Sequence, residues 1–257
     1  MKRAYPLPKL RSIVERASSE VISARITRID GIPTGRAAPI RPIGSGTFVR
    51  LGEDVFVLTA HHVSTAPGKL DQFTHRLGDG MTGLPFCGGW VGHPNPDCDL
   101  AIWRCFQGVL DEVDDIVPLP AQEIGCSDLD PSALFMVQGF PARSQVVMPA
   151  MRQTHSVADS FIGGLRQPTT SNSEHFAIGY GTGVEAQGLS GSAIWNLGVH
   201  RVDDLDNWTP NAVTFSGVAH RWDKVGRTII GTRSELVRDF LQPAAVQSLA
   251  MFPEEPA

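Results

Sequence analysis

Apolar residues along this chain come mostly in short runs closed by glycine, proline or charge. Seven such segments read as β-strands: residues 46–50, 54–59, 100–103, 133–138, 176–179, 192–195 and 212–219. They are rich in Val, Ile, Leu, Phe and Trp, too short for stable helices, and bounded by turn residues. Two stretches differ. Between Pro8 and Val21, Leu10, Ile13, Val14, Ala17 and Val21 recur at steps of three and four, which places them on one face of an amphipathic helix. The face is narrow and its flanks carry both charge signs, which suits a strut packed on β-structure better than a membrane helix. Residues 234–242 read as a short C-terminal helix with Leu236, Val237, Phe240 and Leu241 inward, and the tail from Pro243 as frayed. No repeat at a fixed period is present.

Composition sharpens this picture. With 26 glycines and 19 prolines spread over most of the chain, many short strands and turns are favoured, in a sandwich or a pair of barrels. The 257 residues, 42% hydrophobic and 19% charged, suffice for one large packed domain or two small ones. Against 27 acidic side chains stand 22 Lys and Arg, giving a net charge of −5. No run of basic residues exceeds two, so neither nucleic acid nor an anionic membrane is an expected partner. No segment approaches a membrane span. The basic start lacks the apolar run of a secretory signal, since Arg11, Glu15, Arg16 and Glu20 interrupt it. A cytoplasmic protein is therefore expected, with Cys87, Cys98, Cys105 and Cys126 as free thiols. Cys87, His93, Cys98 and Cys105 cluster in sequence but lack paired C-x-x-C spacing, and no metal or other cofactor is expected.

Three short motifs carry chemistry. Thr59-Ala60-His61-His62-Val63 presents imidazoles where an apolar strand breaks into a turn. Histidine titrates nearest neutrality and can accept and return a proton, so a reaction resting on it should gain rate between about pH 6 and 7.5. Asp97-Cys98-Asp99-Leu100-Ala101-Ile102-Trp103 sets an acid directly before an apolar strand. A partly buried carboxylate needs a partner, and an imidazole N–H is a natural one. Gly188-Leu189-Ser190-Gly191-Ser192 flanks a serine with glycines that let backbone amides converge beside it, as an oxyanion requires. Singly, each has a plainer explanation: a surface histidine pair, an aspartate capping a turn, a Gly/Ser hairpin.

Each motif occurs once, in the order His, Asp, Ser. Together they resemble the chymotrypsin-like (trypsin-like) serine peptidases, in particular bacterial intracellular members. That family shows T-A-x-H, D-[ILV]-A and G-x-S-G, matched by Thr59-Ala60-His61-His62, Asp99-Leu100-Ala101 and Gly188-Leu189-Ser190-Gly191. Gly44-Ser-Gly-Thr-Phe-Val resembles the strand before the histidine, and Val137-Gln-Gly-Phe-Pro141 the strand opening the second barrel. The likeness runs over roughly residues 36–232. It implies an all-β fold of two antiparallel six-stranded barrels with the active site between them, plus short terminal helices. Residues 1–35 would form the N-terminal helix and lead-in strand, 36–125 the barrel carrying His62 and Asp99, 126–232 the barrel carrying Ser190, and 233–257 the C-terminal helix and tail. The resemblance further implies a serine endopeptidase acting on a protein or peptide. His62 would be the general base, Asp99 its orienting acid and Ser190 the nucleophile, with the N–H groups of Gly188 and Ser190 as the oxyanion hole. One slip of register would substitute His61 for His62, and a similar slip Asp97 for Asp99.

Departures from the family's pattern refine the expectation. Leu189 stands where secreted animal members have the acid that pairs with a newly cut N-terminus, so activation by that ion pair is not expected. Val63 replaces a common cysteine, in keeping with a reducing compartment. Val184, Glu185, Ala186 and Gln187 should line the pocket for the acyl-side residue, and 217–220 resembles the edge strand that pairs with substrate. Glu185 favours a basic side chain, whereas His220 matches relatives that read Glu or Gln, so the two point opposite ways. Arg221 and Trp222 would narrow the cleft. The expected role is restricted processing of protein partners inside the cell, in a stress or phage-defence pathway, with an activating protein partner as one means of restraint. The alternative is a latent or inactive protease-fold module that binds peptides. An esterase is disfavoured, because Ser192 occupies the last position of G-x-S-x-G.

Overall fold

The computed structural model describes residues 12, 16–19, 21–33, 41–65, 70–76, 83–105, 110, 116–126, 129–142, 145–148, 153–167, 172–180, 185–199 and 208–251. Its first sheet holds β1 (Ile26–Pro33), β2 (Arg41–Leu51), β3 (Asp54–Ala60), β4 (Leu70–Arg76), β5 (Gly83–Gly92) and β6 (Leu100–Cys105). They run in the order β1-β4-β5-β6-β3-β2, and β1 also pairs with β2, so the six antiparallel strands close on themselves. The two-residue β7 (Leu119–Pro120) joins β2 in parallel. The second barrel is a closed circuit of β8 (Leu134–Gly139), β11 (Asp159–Arg166), β12 (His175–Gly179), β15 (Thr228–Arg233), β14 (Thr214–Asp223) and β13 (Ala193–Asn196). Between β8 and β11 the chain makes a separate hairpin of β9 (Gln145–Met148) and β10 (Gln153–Ser156). The expected pair of barrels is thus present, and β1, expected only as a lead-in strand, closes the first of them.

Strand alternation divides the core into three. Along β3, Val55 and Val57 point into the first barrel with Phe48 and Trp103, while Phe56 and Leu58 point the other way. The outer set meets Met136, Ala193 and Trp195 of the second barrel in an apolar seam. The second barrel encloses Phe135, Val137, Phe161, Phe176, Ile178 and Ile194. β3 and β6 are therefore covered on both faces, which is why they read as unbroken apolar runs rather than alternating ones. Burial of each large side chain in such a core contributes about 1.5–3 kcal/mol.

Both terminal helices depart from expectation. Near the N-terminus, residues 16–19 and 21–23 are helical, with Ser18 and Ile22 fully buried and Ala17 and Val21 half-buried. The buried stripe is thus centred one residue later than the periodicity suggested; Leu10, Ile13 and Val14 lie outside the described residues. The C-terminal helix is not short. It runs Ser234–Met251, straight through Pro243, burying Val237, Phe240, Leu241, Ala244 and Ala245. Proline inside a helix costs about 3 kcal/mol, and burial of Val237, Phe240 and Leu241 before it and of the two alanines beyond it, on a helix that packs on β5, β6, β14 and β15, offsets that cost. No described helix is long and apolar enough to cross a membrane.

Candidate active site

The site begins where β3 ends. Ala60 is extended (φ −77°, ψ 141°), and the chain then turns at once into a single helical turn, His61–Ser64. Opposite it, Asn95 caps the 3-10 turn Pro96–Cys98 by accepting from the Asp97 N–H at 3.0 Å. Asp99 follows in the left-handed region (φ 47°, ψ 47°), a conformation that aspartate tolerates better than most residues. The two turns are joined by three hydrogen bonds. The His61 N–H donates to the Asp99 carbonyl at 2.9 Å, the His62 N–H to Asp99 Oδ1 at 2.9 Å, and His62 Nδ1 to Asp99 Oδ2 at 2.7 Å. Both carboxylate oxygens are thus committed to His62. Because a carboxylate only accepts, the proton of the imidazole sits on Nδ1 and the lone pair on Nε2.

Burial pushes the Asp99 carboxyl up, but the His62 side-chain hydrogen bond, its charge and its backbone N–H, with a smaller part from His220, outweigh this and leave it below the ordinary value. His61 does not compete: its ring packs on Trp90, centroids 4.7 Å apart and planes tilted by 51°. Asp97 is exposed. The structure therefore pairs His62 with Asp99.

Ser190 comes from the second barrel on a turn that only glycine could build. Gly188 has φ +94° and Gly191 φ +89°. A Cβ on Gly191 would run into the Ser45 carbonyl and Thr59 Oγ1, and one on Gly188 would lie 2.7 Å from the Phe140 carbonyl oxygen. Within the turn, the amides of Leu189, Gly191 and Ser192 donate to Ala186, Ala219 and Leu189 carbonyls at 3.1, 2.7 and 2.9 Å. Those of Gly188 and Ser190 donate to no backbone carbonyl among the described residues. These two N–H groups, without a backbone acceptor among the described residues, flank Leu189, which is buried in the second barrel.

Ser45 ties this turn to the first barrel. Its N–H donates to the Ser190 carbonyl at 2.8 Å and its hydroxyl to the Gly188 carbonyl at 2.9 Å, while its Oγ accepts from the Phe140 N–H at 3.0 Å. Thr59 Oγ1 in turn donates to the Ser45 carbonyl at 2.8 Å. Sequence reasoning marked Gly44-Ser-Gly only as a strand frame; the serine between two glycines was the available signal.

Neither a protein-family description nor any curated protein matches this sequence. Solved structures do. The active form of the Rv3671c protease from M. tuberculosis aligns over 100% of this chain and 95% of its own, at 16% identity and a TM-score of 0.51. Kallikrein-related peptidase 10, in complex with Zn2+, aligns over 90% and 98% at 13% identity and a TM-score of 0.53. The chain has the chymotrypsin-like serine protease fold. At such identities the likeness concerns the protease fold alone, and what this chain's own residues do must be read from them.

Beside Ser190 lies a half-open hollow of about 10 Å³, lined by Ala186, Leu189, Ala219, Arg221, Trp222 and Ile229 together with His220. That is the room of about one water. Trp222 is fixed in the wall: its indole N–H donates to the Tyr180 hydroxyl, which donates to the Asp223 carbonyl at 3.3 Å, and Lys224 Nζ sits 4.5 Å over the ring. Burial raises the Tyr180 phenol. Of the residues expected to line a pocket, Ala186 does so, Glu185 and Gln187 are exposed, and Val184 lies outside the described residues. His220 turns inward. Its side chain is 3% exposed, with Nδ1 3.7 Å from Asp99 Oδ2 and its ring 4.6 Å from that of His175. Burial, and next the neighbouring His175, bring it down to about 4. Cys98 and Cys105 are buried thiols and Cys126 an exposed one; the side chain of Cys87 is outside the described set. Burial, then Glu174, pushes the Cys98 thiol up to about 12, so it is no nucleophile.

Proposed function

We propose that this chain is a serine endopeptidase with Ser190 as nucleophile, His62 as general base and Asp99 as orienting acid. The observation that carries the reading is the double hydrogen bond of His62 to Asp99, which leaves Nε2 as the proton acceptor. Ser190 Oγ attacks the scissile carbonyl as Nε2 removes its proton. The oxyanion so formed is held by the N–H groups of Gly188 and Ser190. His62 then gives the proton to the leaving amine, the C–N bond breaks, and the acyl group stays on Ser190. Water, deprotonated by the same imidazole, adds to the ester, and collapse of this second intermediate frees the acid and restores Ser190.

The small hollow beside Ser190 supports restricted cleavage after a small side chain, with neither Glu185 nor His220 reading a charge. We extend this to processing of protein partners inside the cell, the kind of use that stress or phage defence makes of a protease. The same narrowness is what favours the second reading, a latent module that binds peptide until a partner opens the cleft. A fluorophosphonate separates the two, since it labels only an activated serine. A single adduct on Ser190, absent from Ser190→Ala, is the expected result; an unlabelled wild type, alone and in lysate, would overturn the protease reading.

A further inference from the structure

One edge of β14 falls free beside the nucleophile. β13 pairs with β14 only as far as Val218. Ala219 is the last residue joined on that side among the described residues: its N–H donates to the Ser192 carbonyl at 2.8 Å, and its own carbonyl accepts from the Gly191 N–H at 2.7 Å. Beyond it, residues 221–223 pair with β15 alone among the described residues. A strand edge left free beside a serine is a seat for an extended peptide, whose backbone completes the ladder. Every strand pair of this barrel is antiparallel. A peptide added in the same sense, with its scissile carbonyl at Ser190, runs the residues ahead of the cut along 221–224.

That stretch is basic in an acidic chain. Arg221, Lys224 and Arg227 stand there against one acid, Asp223, whereas the whole protein carries −5. The three cations are exposed, and none is ion-paired among the described residues. Asp223 is engaged in closing the hairpin, its Oδ1 accepting from the Val225 and Gly226 N–H groups at 3.0 and 2.9 Å. Arg221 lines the hollow beside Ser190, and Lys224 is held at its wall, with Nζ 4.5 Å over the Trp222 ring. A lysine laid on an indole has already given up part of its rotational freedom, so an incoming carboxylate meets a placed charge. We propose that Arg221 and Lys224 set specificity: the site takes peptides with Asp or Glu two to four residues ahead of the cut and a small residue at the cut itself. The inference rests on the endopeptidase reading and names its substrate class.

The test uses the full chain and three peptides that end in alanyl-aminomethylcoumarin, with the three preceding positions all Glu, all Gln or all Lys. Turnover by the wild type gives kcat/KM, and fluorescein-tagged forms of the same peptides report binding to Ser190→Ala by anisotropy, without chemistry. The wild type should favour the Glu peptide over the Gln peptide about tenfold at low ionic strength. Near 1 M salt, where the Debye length is about 3 Å, the preference should shrink to about twofold. Arg221→Gln and Lys224→Gln should each lower the Glu-to-Gln ratio about threefold, and the double reversal Arg221→Glu, Lys224→Glu should turn the preference toward Lys. A reversed preference does not arise from a damaged fold, and if the double variant fails to fold the two Gln variants still decide. Equal turnover of the Glu and Gln peptides, or a Glu preference that survives both Gln variants, overturns the proposal and leaves the protease reading standing. Absent turnover, with binding to Ser190→Ala that keeps the charge dependence, overturns the protease reading and keeps acidic-peptide recognition. Neither turnover nor binding of any of the peptides overturns both.

Discussion

The two barrels contribute to the site in different ways. The first supplies His62 and Asp99 from the ends of β3 and β6, strands covered on both faces, and locks the two side chains to each other. The second supplies Ser190 from a turn whose shape depends on two glycines with positive φ, and which Ser45 hydrogen-bonds to the first barrel. Accuracy of the proposed acid–base pair is thus a matter of strand packing, and that of the nucleophile a matter of backbone conformation. A defect in the first should disable proton transfer without disturbing the oxyanion site; a defect in the second should do the reverse.

The largest effects test whether the two halves act as a unit. Ser190→Ala and His62→Ala should each lower peptide turnover about a thousandfold or more, and the double variant scarcely further; additive losses in steady-state kinetics would break the unit apart. Next comes Gly191→Ala. Its Cβ meets Ser45 and Thr59, and its φ of +89° is costly for alanine. Fluorophosphonate labelling should be lost while the NMR signature of the His62–Asp99 pair persists, and loss of both would deny that the barrels contribute separately. Smaller is Ser45→Ala, which strands the buried Phe140 N–H and should cost about 1–3 kcal/mol in urea unfolding with partial loss of labelling. Unchanged labelling would mean that Ser45 does not hold the turn.

A separate effect concerns pH. His220 falls from 6.5 to about 4 on folding, so the unfolded chain binds the extra proton first. Stability from its neutral burial is complete above pH 6.5 and is lost as pH falls toward 4. Thermal melts should show the wild-type Tm declining through that window more steeply than that of His220→Asn; parallel curves would exclude His220 as the source.

The sequence was legible where one segment carries its whole reason. β3 and β6 are uninterrupted apolar runs because both faces are covered, and the Thr-Ala-x-His, Asp-Leu-Ala and Gly-x-Ser-Gly strings hold their chemistry within a few residues. β1 was only a lead-in, because Arg28 and Asp30 look like solvent-facing charges. They are instead buried and paired at 2.9 Å, a fact that no spacing reveals. β5 escaped notice because its register shifts between Cys87 and Trp90, where Gly88 takes φ +70° and breaks the alternation. The hydrogen bonds of His175 Nε2 to the Asp97 carbonyl at 2.8 Å and of Thr232 Oγ1 to the Cys98 carbonyl at 2.6 Å were illegible for a different reason: they join strands of one barrel to a turn of the other.

The C-terminal helix has a consequence for the order of events during synthesis. It packs on β5 and β6 of one barrel and on β14 and β15 of the other, and Phe240 lies 5.1 Å from the ring of His93, just ahead of the turn that presents Asp99. Every strand of both barrels leaves the ribosome before this brace does. A nascent chain with both barrels emerged still has the seam under Phe240 and Leu241 open to water, and the acid loop lacks its final support. Full support of the acid loop by this helix is therefore a late event in the life of the polypeptide.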